Sequence, residues 1–199
     1  VLRRLVDSHW AFRLFLALPA LGMLAQFLRL HSWGLLIGQS GEWAVRMLIL
    51  TLAVSPIRIL MKQLHMGPHW PAWLLKRRRD LGMACFLYAA LHLAAYLVRQ
   101  WNIHVVLYDL RSVEYAAGWL GFVTLLALAV TSNDASVHWL GTWWKPLQRT
   151  VYLSAIAVFL HWYWIRQDHD GLWLHLVPLA VLEGYRLLHN FARPAGLKH

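Results

Sequence analysis

Six apolar stretches dominate this chain, near residues 10–30, 41–61, 81–99, 114–131, 149–166 and 171–189. Each is about long enough to cross roughly 30 Å of hydrocarbon as a helix. Water does not reach such a core, so each segment must satisfy its own backbone, and a helix does this locally. The expectation is an all-α, polytopic membrane protein: one bundle of six transmembrane helices, with residues 1–199 as a single domain. Composition agrees, because 59% hydrophobic residues, 13 Trp and only 14% charged residues do not suit an ordinary soluble domain. Trp10, Trp33, Trp43, Trp101, Trp143, Trp144, Trp164 and Trp173 gather near the proposed ends, as an interfacial aromatic belt does. Pro19, Pro56 and Pro178 fall inside spans and mark bends. The first stretch reads as a span rather than a cleavable signal, since no small-residue cleavage pattern follows its core.

The formal net charge is +10, yet the basic residues lie between the apolar runs rather than along one face. Nucleic-acid readers carry a basic surface on a soluble fold, so no nucleic-acid partner is expected. Membrane lipid is the simpler counterpart for these charges. With both termini cytoplasmic, fourteen Lys and Arg fall on the inner side, including Arg3, Arg4, Lys76, Arg77, Arg78, Arg79, Lys145, Arg149, Arg193 and Lys198. Five fall outside: Arg29, Arg46, Arg99, Arg111 and Arg166. That asymmetry sets the orientation. The single cysteine, Cys85, lies mid-span, which leaves no intrachain disulfide and no CxxC pair. No internal repeat is visible.

Two histidines, His92 and His161, sit deep within the third and fifth stretches. An imidazole in hydrocarbon is costly and is a functional candidate by default. His92 lies 14 residues beyond Arg78 and His161 lies 12 beyond Arg149. At 1.5 Å per residue those are about 21 and 18 Å. The third and fifth spans run the same way, so the two rings reach comparable depth in the outer half. They could then grip one haem iron from opposite sides, a site that helical bundles build from facing helices. Two axial imidazoles leave no open position for a substrate, so such a haem carries electrons. The competing reading has each histidine hydrogen-bonding a neighbouring helix carbonyl, and the residues leave both open. Arg99 follows His92 by seven residues on the same face, where it could meet a haem propionate or snorkel to the interface. His175, early in the sixth span, is a second propionate candidate. The other histidines, His138 among them, fall in loops or at span ends.

Several short motifs carry a resemblance: Ser55–Arg58 (SPIR), Arg77–Gly82 (RRRDLG), Leu91–Tyr96 (LHLAAY), Leu126–Ser132 (LALAVTS), Val151–Leu153 (VYL) and His161–Trp164 (HWYW). In this order and spacing, from about residue 40 to 165, the chain resembles the haem-binding membrane subunits of bacterial protein-methionine-sulfoxide reductase systems, within the ferric-reductase-like transmembrane group. The resemblance implies a b-type cytochrome of the bacterial inner membrane without a catalytic site of its own. Electrons would come from the quinone pool or a cytoplasmic flavin reductase. They would pass to a periplasmic molybdenum-containing methionine-sulfoxide reductase. His92 and His161 match the family's haem ligands. Relatives carry a further His near the inner end of the fifth span, where this chain has Gln148 in WKPLQRTVYL. A Gln amide is a poor iron ligand, and Arg78, 14 residues before His92 on nearly the same face, cannot compensate because it stays protonated. One haem is therefore expected, with the inner site altered. The family is also associated with flavin mononucleotide, whose phosphate could meet Arg77–Arg79, expected at a helix N-terminus.

Three other functions compete: a stand-alone transmembrane quinol or metal reductase, a non-haem proton-coupled transporter using both histidines, and a structural anchor. A transporter would want further acids within the spans. Glu183 is the clearest, with Glu42 and Glu114 near outer ends.

Overall fold

Short polar residues start several of the helices, and left-handed residues stop two of the long ones. The computed structural model describes residues 8–166 and 169–192. Helix α1 (His9–Leu30) opens at Ser8, whose hydroxyl accepts from the Ala11 N–H, and stops at His31, held at φ 50°. Ser32 caps α2 (Trp33–Gln63) in the same way, through the Leu35 N–H. Helix α3 (His69–Gln100) ends at Trp101, again left-handed at φ 43°. Asn102 caps the short α4 (Ile103–Asp109), after which α5 (Val113–Val130) runs back through the bundle. Asn133 caps α6 (Asp134–Leu140), and a 3-10 turn over 141–143 leads into α7 (Trp144–Arg149). Then follow α8 (Val151–Ile165) and α9 (Asp170–Phe191). The all-α membrane class holds.

The count of six spans needs correction. Among the described residues four helices, α1, α2, α3 and α5, are long and apolar enough to cross a membrane. The fifth expected span is divided at Thr150, whose N–H bonds Leu147 O at 3.0 Å instead of continuing the regular ladder. That leaves α8 with 15 residues, about 22 Å of helix. The sixth, α9, has 22 residues, but His175, Glu183 and Arg186 interrupt its apolar run. A second correction concerns Arg77–Arg79. Helix α3 begins at His69, so these residues lie two turns inside it. Their backbone amides are spent on the helix and are not free for an anion. Arg3, Arg4, Arg193 and Lys198 of the charge count lie outside the described residues.

Two helix pairs form the frame: α2 packs along α3, and α5 along α8. Small residues set the closeness of the second pair. A Cβ on Gly121 would stand 2.8 Å from Val158 Cγ2, and Ser154 donates to the Gly121 carbonyl at 3.1 Å. This is how helices associate where lipid removes most of the hydrophobic drive. Helix α9 lies on α2, and α1 on α2 and α3. In α1 only Leu16 and Met23 are buried, while Leu14, Phe15, Leu18 and Leu21 are largely exposed. An apolar exterior of this extent suits lipid rather than water.

Candidate functional site

Helices α3 and α8 carry His92 and His161 to the same place. Their ring centres are 6.2 Å apart and the planes cross at 84°. In each ring Nδ1 faces a carbonyl of the adjacent helix: His92 meets Ile37 O of α2 at 2.8 Å, and His161 meets Glu114 O of α5 at 2.7 Å. A carbonyl only accepts, so Nδ1 carries the proton and donates. In the neutral ring Nε2 then keeps its lone pair. The two readings of these histidines are therefore compatible, because the carbonyl bond uses one nitrogen and coordination uses the other. Metal-bound histidines are commonly oriented through such a bond.

Glycine makes the approach possible. Gly41 lies one turn after Ile37, and a Cβ there would stand 2.9 Å from Nδ1 of His92. Gly118 lies one turn after Glu114, and a Cβ there would stand 2.8 Å from Nδ1 of His161. Each ring thus sets its Nδ1–Cε1 edge against a glycine and bonds the carbonyl one turn before it. The same device occurs twice, once in each helix pair, although the sequence shows no repeat.

Both rings open on a cavity of about 390 Å³ between α2, α3, α5 and α8, within the size range of cofactor pockets. Its walls are mostly aliphatic and aromatic, with Val45, Leu48, Trp119 and Phe122 among them. Two imidazoles on opposite sides of one metal, at about 2.0 Å per metal–nitrogen bond, hold their ring centres about 6.3 Å apart. The observed spacing fits that arrangement. The donor set fits haem as well: two nitrogens for iron, apolar walls for a macrocycle, and a charged mouth for its carboxylates.

That mouth is built from residues the sequence reading did not single out for this role. Arg166, at the end of α8, and Glu42, beside Gly41, both line the cavity and form an ion pair of 2.5 Å. Glu42 also holds Arg46 at 3.2 Å. Arg46 Nε reaches His175 Nε2 at 3.4 Å, while His175 Nδ1 donates to Gly171 O. His175 thus stands behind the mouth and is not among the lining residues. Arg99 is exposed, with NH1 3.9 Å from where a Gly34 Cβ would be, at the cavity's edge. Arg78 lies far along α3 from His92, within electrostatic reach of Glu183. Gln148 spends its amide on Thr131 Oγ1 at 3.1 Å and Leu128 O at 3.4 Å. The structure groups His92 and His161 at the cavity, with Arg99 at its rim; Arg78 and Gln148 belong to the opposite end.

Residues 40–159 match the model of the family described as "Ferric reductase like transmembrane component". The chain is similar to the protein-methionine-sulfoxide reductase heme-binding subunit MsrQ of Azospira oryzae, 35% identical over 156 residues. That match covers 75% of this chain and 64% of the relative, so the chain spans just under two thirds of that protein's length. The protein of the same name from Rhizobium meliloti is 32% identical over 202 residues, covering 92% of this chain and 84% of the relative. The one from Xanthomonas axonopodis pv. citri is 32% identical over 153 residues, covering 75% and 66%.

Proposed function

The chain belongs to the ferric-reductase-like transmembrane family, and from that premise we propose that it is a b-type cytochrome subunit passing electrons across a membrane to a separate reductase. The observation that carries this is the histidine pair, each ring fixed by a carbonyl at Nδ1 and both facing one apolar cavity. His92 and His161 are the residues that would hold the haem iron, each through its Nε2. Arg166 would meet a propionate at the mouth, with Arg99 and Arg46 adding positive charge around it and His175 holding Arg46 in place. Haem, when bound, supplies a one-electron iron couple. With an imidazole on each face no site remains for a substrate, so the chain's own residues bind, orient and insulate. The apolar walls exclude water, which stabilises the less charged state of the site.

The finer parts of the proposal follow the relatives, whose name places them beside a protein-methionine-sulfoxide reductase. The chain lies in the bacterial inner membrane with both termini cytoplasmic. It draws electrons from the quinone pool or a cytoplasmic flavin reductase, and delivers them to a periplasmic molybdenum-containing methionine-sulfoxide reductase. One haem is bound per chain, because Gln148 is committed to Thr131 and Leu128 and Arg78 faces the same end. The resemblance also implies flavin mononucleotide. With the amides of Arg77–Arg79 inside α3, its phosphate would have to be held by side chains. Flavin fluorescence released on denaturation tests for it.

An absorption spectrum of the purified protein decides the main claim. A low-spin b-type spectrum on reduction is expected, and His92→Ala or His161→Ala should abolish it or turn it high-spin, while His138→Ala should not. A protein that stays colourless after reconstitution with haem, or a ligand variant with an unchanged spectrum, refutes the assignment. A transporter finds less support here, since Glu42 is already paired with Arg46 and Arg166, and Glu183 with Arg186 at 2.8 Å.

A further inference from the structure

At the end of the bundle remote from Arg166, α1 and α3 flank an open surface cavity of about 420 Å³, lined by His9, Arg13, Leu75, Lys76 and Arg79. Among the described residues its lining holds three cations and an imidazole, and no acid. Asp80, which holds two of the lining residues, is only 3% exposed. Asp80 accepts from Arg13 Nε at 2.8 Å and bonds His9 Nδ1 at 2.9 Å, with Arg77 NH1 at 3.6 Å. Its charge is thus offset several times over, and it acts as a buried post that sets His9 and Arg13 in place. Lys76 and Arg79, three residues apart on one face of α3, close the other side. Arg79 also bonds Asp134 at 2.9 Å, but that carboxylate is 85% exposed and its field is screened by water. The cavity is therefore a preformed concentration of positive charge.

Its surroundings are apolar. Trp10 and Leu14 of α1 are 73% and 69% exposed, Leu75 of α3 is 46% exposed, and Arg13 lies over the Trp10 ring at 5.5 Å. A tryptophan stacked by an arginine at the foot of a lipid-facing helix marks the interfacial level. A free anion would gain nothing from that apolar rim, whereas an amphiphile would lay its chains along α1. Basic pockets between membrane helices are known to take anionic lipid head groups.

We propose that this cavity binds the phosphodiester head group of an anionic phospholipid, with the acyl chains running along the exposed face of α1. The site is separate from the histidine cavity and does not depend on the electron-transfer reading.

Protein exchanged into nanodiscs of phosphatidylcholine, with phosphatidylglycerol or cardiolipin titrated in, tests the proposal by native mass spectrometry of the retained lipid. Wild-type protein should retain the anionic lipid well above its bulk fraction. Lys76→Gln with Arg79→Gln should weaken retention about thirtyfold, the change expected for two lost cations at a membrane surface. Asp134→Asn, which frees Arg79 and removes no buried partner, should strengthen it. Retention at the bulk lipid ratio, or a double variant that remains folded by circular dichroism and retains lipid like wild type, overturns the proposal. Displacement of the lipid by millimolar inorganic phosphate also overturns it, since the site would then serve a soluble anion.

Discussion

Replacing Gly118 with alanine tests whether the ring of His161 is held as tightly as the geometry implies. The new methyl would stand 2.8 Å from Nδ1, 2.9 Å from Cε1 and 3.3 Å from Cγ of that ring. Unstrained contacts between such atoms begin at about 3.5 Å, so the imidazole must retreat by about 0.7 Å. Its bond to Glu114 O, 2.7 Å at rest, then stretches beyond about 3.2 Å, where an N–H···O bond is weak. Losing that bond costs about 1 kcal/mol and the crowding about 1–3 kcal/mol. Alanine returns about 1 kcal/mol through its better helix propensity. The net penalty on the ligand-ready ring is about 1–3 kcal/mol, or haem binding about 5- to 150-fold weaker. Haem titrated into apoprotein in detergent, read by the low-spin absorption band, gives the affinity directly. Gly184→Ala on α9, where a Cβ would meet nothing within 4 Å, is the control and should bind haem like wild type. If Gly118→Ala titrates like Gly184→Ala, the close packing of ring on glycine is wrong.

Gly41→Ala should act in the same direction but less strongly, since its Cβ would meet His92 at 2.9 and 3.1 Å and then only at 3.8 Å. Arg166→Gln should weaken haem binding severalfold without changing the low-spin band, because it removes a mouth cation and neither ligand; an altered spin state would contradict its place at the mouth. A pyridine-haemochrome assay against protein concentration should give one haem per chain, and a value of two would refute the argument from Gln148. Asp80→Asn should lower the thermal unfolding midpoint in detergent, at a cost of about 3 kcal/mol or more, because Arg77 and Arg13 lose their shared counter-ion and Arg77 is buried. An unchanged midpoint would mean that this ion cluster is not structural.

Much of this protein could be read along the chain, because the information was local. Apolar length names membrane helices, and a lone imidazole amid Leu and Ala declares itself costly. Other boundaries were harder. The start of α3 at His69 escaped the reading because Lys76–Arg79 looks like a loop, although long basic side chains continue a helix readily. The break at Thr150 depends on one hydrogen bond to Leu147 and leaves no compositional trace.

Sequence alone determined that the chain would be helical and in lipid, and that His92 and His161 would be its costly intramembrane groups, since hydropathy and helical rise are properties of single segments. Only the tertiary structure decided what those rings touch. His92 finds its carbonyl 55 residues away and His161 finds its own 47 away. The axial slide and rotation of one helix against another set both pairings. Gly41, Gly118 and Arg166 take on their roles only once that register exists, because a missing side chain matters only where another atom comes to occupy its place.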